Sequence, residues 1–254
     1  MSRSAPPRNG STPTVLLVHG AFADGSMWAA VIIELQAAGV EAIALANPLR
    51  SLASDAAYIA GAAAEIDGPV MLAGHGYGGA VITAAGAAAG NVVGLVYVAG
   101  FALDQGESAL DITRRFPGSQ LLPALRPASC PGANGDPAVE LYLDREAYPR
   151  LFATGLPRRQ AEAAAAGQRP ITAAAFEEKA PAAAWKRTSC WYTVATADQL
   201  IPLTAQRFMA ERARARTIEI DASHAIALTQ PAPVARQIAA AAATATQARP
   251  DNPA

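Results

Sequence analysis

The sequence predicts an α/β protein of three layers, α/β/α, with helices on both faces of a mostly parallel sheet and a helical cap inserted late in the sheet. Three observations predict it. Short apolar runs rich in Val, Ile, Leu and Thr alternate with longer amphipathic runs, the order that a parallel sheet covered by helices requires. The short runs are apolar throughout, as strands buried on both faces are. The alternation breaks once, between Ala102 and Lys186, over about 85 residues with many Pro and Ala and no clear strand. Such a stretch is too long for a connection inside a compact domain.

Taken in order, the strands are expected at Thr14–Val18, Glu41–Leu45, Val70–Ala73, Val92–Val98, Trp191–Ala195 and Thr217–Ile220. Helices are expected at Trp28–Ala38, Ser54–Ile66, Gly79–Ala89, Leu203–Ala213 and Pro231–Thr246. The core is therefore 14–103 with 186–246, and the cap is 104–185, with linkers near Asp104 and Trp185. The polar, Pro-rich start (1–13) and the patternless end (247–254) should be mobile tails.

Composition excludes several classes. The chain has 254 residues, 16% of them charged, with 20 basic and 21 acidic side chains. Charge is below the usual share because about a quarter of the chain is alanine. Gly, Pro or a polar residue interrupts every apolar run short of the length needed to span a bilayer, so no membrane partner is expected. A net charge of -1 without a basic stripe argues against nucleic acid. The two cysteines, Cys130 and Cys190, lack metal-ligand spacing and form no disulfide framework. The first 13 residues have no apolar core and do not read as a signal peptide. A cytoplasmic protein without metal or organic cofactor is expected, acting on a small molecule, with a homodimer left open.

Four segments carry chemistry. Val70-Met71-Leu72-Ala73-Gly74-His75-Gly76-Tyr77-Gly78-Gly79-Ala80 reads as a strand, a sharp turn and a helix. In G-x-S-x-G such a turn exposes a nucleophilic serine above the sheet; here the middle residue is Gly76. Val15-Leu16-Leu17-Val18-His19-Gly20-Ala21-Phe22 ends a strand in a loop that could aim a backbone N–H at the same point. Asp198 and His224 each follow a late strand. An imidazole oriented by a carboxylate can take and return a proton at neutral pH. Asp104, which follows the strand ending at Val98, is a competing carboxylate.

Together these segments resemble the α/β-hydrolase fold family from Pro13 to about Thr246. They are most similar to its small-cap branch of plant esterases, hydroxynitrile lyases and bacterial hydrolases. The resemblance implies His224 as general base, Asp198 as its carboxylate, and the N–H groups of Ala21 and Tyr77 as an oxyanion hole. Gly76 stands where such a member has serine. The implied function is hydrolysis of a carboxylic ester, lactone or similar acyl bond of a mainly apolar small molecule, in a form inactivated by the missing nucleophile. The alternative is a non-hydrolytic protein on the same fold, binding a ligand or using His224 as a lyase-like base.

The remaining residues take plainer readings. His19 should pack beneath the oxyanion loop, and His75 should pack the elbow, pointing away from the cleft. Phe22 is expected in the pocket wall because it directly follows Ala21, with Trp28 and Ile226 as weaker candidates. Gly74, Gly76 and Gly79 also spell a dinucleotide fingerprint. That motif opens the first βαβ unit and is followed by an acidic residue ending the next strand. Here two strands precede it, and the following strand runs into Ala99-Gly100-Phe101.

Overall fold

Alternation along the central strands decides the layering. Val15, Leu17, Met71, Ala73, Val96 and Val98 enter one core cluster, whereas Leu16, Val18, Val70, Leu72, Leu95 and Tyr97 enter the other. Every second side chain of a strand points to the same face, so each of these strands must be covered on both sides. A computed structural model describes residues 12–132 and 135–247. Most of the two expected mobile tails lies outside the described residues.

The main sheet contains β1 (Thr14–Val18), β2 (Ala42–Leu45), β3 (Val70–His75), β4 (Val92–Val98), β8 (Cys190–Ala195) and β9 (Arg216–Ile220). It runs in the order β2-β1-β3-β4-β8-β9, and every pairing is parallel. The interior strands are almost wholly buried, while β2 and β9 at the edges are partly exposed. Helices Leu52–Ala64 and Tyr77–Ala88 cover one face. Ala29–Ala37 and Pro231–Gln247 pack together on the other. No helix among the described residues is long and apolar enough to cross a membrane.

The chain steps from β1 out to β2 and then back across β1 to β3. Reversal of this kind opens a crevice at the carboxyl ends of the strands. The loops after β1, β3, β8 and β9 carry His19–Phe22, Gly76, Asp198 and His224, so the candidate residues start on one edge of the sheet.

The insertion between β4 and β8 contains the short helices Ala109–Arg115, Leu121–Ala124, Tyr148–Leu151, Arg158–Gly167 and Ala173–Glu177. It also contains strands, which the sequence reading did not include. β5 (Leu125–Pro131), β6 (Pro137–Leu143) and β7 (Ile171–Thr172) form a three-stranded antiparallel sheet in the order β5-β6-β7. Pro127 and Pro131 suggest a loop, but β5 is an edge strand, where a missing N–H costs no ladder bond.

Candidate active site

The strand-to-helix turn is built around Gly76. Its φ of 53° and ψ of −122° lie where an L side chain is strained. Its carbonyl accepts N–H bonds from Gly79 at 3.0 Å and Phe101 at 2.9 Å, which lock the turn. A Cβ on Gly78 would come within 2.3 Å of the Val18 carbonyl oxygen. Glycine at that position lets the helix start against the end of β1. A Cβ on Gly74 would come within 2.4 Å of the Gly78 carbonyl oxygen and one on Gly79 within 2.7 Å of the Phe101 nitrogen, so close backbone packing accounts for those glycines of the fingerprint-like spelling.

His224 faces this turn. A Cβ at position 76 would lie 3.1 Å from His224 Nε2 and 3.8 Å from Gly20 Cα. On the other side of the ring, His224 Nδ1 and Asp198 Oδ2 are 2.7 Å apart. That bond assigns the proton to Nδ1 in the neutral ring and leaves Nε2 as an acceptor toward Gly76. Asp198 is fully partnered: Oδ1 accepts from the N–H groups of Leu200 and Ile201 at 2.8 and 3.0 Å, and Oδ2 also accepts from Gln206 Nε2 at 3.0 Å. Asp104 instead pairs with Lys186 at the base of the cap. The carboxylate at His224 is therefore Asp198.

The other two histidines have structural bonds. His19 Nδ1 donates to the Gly20 carbonyl, and its Nε2 accepts from the Asn47 N–H. His75 is fully buried between Trp28 and Phe152 and donates from Nε2 to the His224 carbonyl at 2.8 Å. Burial, reinforced by the neighbouring His224, holds its pKa well below the usual histidine range. Its ring is thus a neutral brace under the His224 backbone. Cys190 offers no substitute nucleophile, since burial pushes its thiol up to about 12.

A narrow cavity of about 30 Å³ opens above Gly76. Ala21, Phe22, Gly76, Tyr77 and His224 form its floor, and Leu121, Leu125, Leu141, Ile171 and Phe176 of the cap close over it. Phe22 is among the lining residues. Trp28 and Ile226 do not line the cavity, and their pocket assignment is corrected. Both are fully buried in the opposite core cluster: Trp28 stands edge-on to His75, and Ile226 follows the His224 loop down into the layer beneath. Tyr77 lines the cavity, and its hydroxyl donates to buried Asp55 at 3.0 Å. Burial raises the Asp55 pKa.

The cap is hydrogen-bonded to three of the four loops that converge here. Phe22 is held by Tyr148 and Arg169, and the acid loop by Ser119 and Gln120. On the histidine loop, the Ala225 N–H donates to the Phe152 carbonyl at 2.9 Å, and Ser223 Oγ donates to the Thr154 carbonyl at 2.7 Å.

Sequence reasoning missed Gln206. It lies on the buried face of helix Leu203–Arg212 beside Ala205, Met209 and Ala210, and a polar residue in that apolar stripe was the available signal. Its amide also accepts from the Ala195 N–H at 3.0 Å and donates to the Ile201 carbonyl at 2.8 Å. Gln206→Leu should leave the Ala195 N–H and part of Asp198 unpartnered. The unfolding free energy in urea is expected to fall by about 1–3 kcal/mol. An unchanged transition midpoint would show that these bonds are replaced.

Comparison with known proteins agrees with this architecture. The Alpha/beta hydrolase family matches residues 15–237. Among solved structures, a pyrethroid hydrolase from Sphingobium faniae JZ-2 superimposes with a TM-score of 0.74 at 21% identity, covering 92% of this chain and 98% of that one. Polyneuridine aldehyde esterase gives 0.76 at 19% identity, covering 89% and 97%. A methylesterase from Arabidopsis gives 0.74 at 16% identity, covering 91% and 99%. No curated protein matches the sequence significantly. The family match spans both sides of the cap and takes in the elbow, the Asp198 loop and the His224 loop, so the chain belongs to the alpha/beta hydrolase family.

Proposed function

We propose that this site is that of a serine-type hydrolase for a carboxylic ester, lactone or similar acyl bond of a mainly apolar small molecule, with its covalent step disabled by Gly76. One observation carries the reading: His224, hydrogen-bonded through Nδ1 to Asp198 at 2.7 Å, turns Nε2 toward the apex of an elbow that has no side chain. In this reading His224 is the general base, Asp198 holds its tautomer, and the N–H groups of Ala21 and Tyr77 receive the oxyanion. Neither N–H has a backbone acceptor among the described residues. Such preorganised donors stabilise the developing charge of acyl transfer. The apolar lining of Phe22, Leu121, Leu125, Leu141 and Ile171 suits an uncharged substrate. That similar structures are named as esterases and a pyrethroid hydrolase supports an ester substrate.

Without a hydroxyl on Gly76, no side-chain atom can attack the carbonyl to form an acyl-enzyme. The chain as written should retain binding but give little turnover. Comparison of aryl-ester hydrolysis by this chain and by Gly76→Ser tests the reading. Turnover confined to the serine variant supports it. Folded protein with no turnover in either form would favour ligand binding or lyase-like chemistry through His224.

A further inference from the structure

Phe22 has a φ of 63°, a conformation costly for a residue with a side chain. Both peptide groups flanking it are tied to the cap. Its N–H donates to the Arg169 carbonyl at 2.8 Å, and its carbonyl accepts from the Tyr148 hydroxyl at 2.9 Å. These two bonds hold the Phe22 backbone in the strained well and so fix the course of the chain at Ala21. Tyr148 is buried and stacks on Phe152, ring centroids 4.7 Å apart, one helical turn further on. Phe152 in turn stands edge-on to the His224 ring at 5.0 Å, and its carbonyl takes the Ala225 N–H. One turn of the cap thus touches both the loop bearing Ala21 and the loop bearing His224.

From this geometry we propose that Tyr148 is a positioning residue. Its hydroxyl, through the Phe22 carbonyl, sets the Ala21 N–H at the site, and its stacking on Phe152 keeps that loop in register with His224. The assignment rests on the acyl-transfer reading above. An ordinary core tyrosine would need only its ring; here the hydroxyl ends on the carbonyl of the strained residue beside the oxyanion donor. The cap then completes the site as well as covering it.

Tyr148→Phe keeps the ring stack and removes this one bond. In the chain as it stands, the Phe22 amide should exchange with deuterium at least about tenfold faster, because local opening sets the exchange of a bonded amide. The elbow amides should be unchanged. In the Gly76→Ser background the same change should lower kcat for aryl esters by about 10- to 100-fold, with KM altered less than about threefold, since a misplaced oxyanion donor costs chiefly the transition state. Unchanged Phe22 exchange, or a loss confined to KM, overturns the proposal. Faster Phe22 exchange while Gly76→Ser itself lacks turnover would keep the positioning role and defeat the hydrolase reading.

Discussion

Gly76→Ser is expected to raise the turnover of uncharged esters by several powers of ten. A side chain at this position starts 3.1 Å from His224 Nε2, so its hydroxyl is placed to give up a proton there while attacking a carbonyl held over Ala21 and Tyr77. The size of the gain follows from the cooperation of the parts. Nucleophile, base and carboxylate act as a unit, and loss of one forfeits most of what all contribute. The same substitution should cost stability of about 1 kcal/mol, because serine must take the φ of 53° that glycine adopts freely. His224 must also yield by a few tenths of an ångström to the new Cβ. Activity and melting temperature should therefore move in opposite directions.

In that serine background, Asp198→Asn should remove about 10⁴ of the recovered kcat. The local bonds dictate which way the amide sits. Oδ1 accepts two backbone N–H bonds, from Leu200 and Ile201, so the amide oxygen must take that side. The NH2 group is then forced toward His224 Nδ1, where it can only donate. The ring would shift its proton to Nε2 and present a donor to the serine instead of an acceptor, the wrong-tautomer effect. Retention of more than a tenth of the kcat would show that Asp198 does not hold the tautomer.

Much of this was legible because it depends on local pattern. Apolar runs such as Val92–Val98 mark buried strands, and the glycines around Gly76 mark a turn where backbone crowding leaves no room for a side chain. Asp198 and His224 each follow a strand, and parallel strands deliver such loops to one edge, while their roles were implied by the resemblance to the α/β-hydrolase fold family. What escaped depends on tertiary position. Pro127 and Pro131 obscure β5, whose edge location makes them harmless. Trp28 and Ile226 are apolar and near the site in sequence, yet they pack on the far side of the sheet. Gln206 and Tyr148 act through hydrogen bonds to Asp198 and to the Phe22 carbonyl, partners 8 and 126 residues away. No periodicity in the chain records such bonds.

The central claim is that this site is a serine hydrolase's, complete except for one hydroxyl. Intact-mass analysis after exposure to a fluorophosphonate tests it most directly, because the reagent labels an activated serine irrespective of substrate preference. The account predicts one adduct per chain on Gly76→Ser, mapping to the peptide that contains position 76. It predicts none on the unaltered chain and strongly slowed labelling when His224→Ala is added. A cooperatively folded serine variant that stays unlabelled would contradict it, as would equal labelling of the chain that carries glycine.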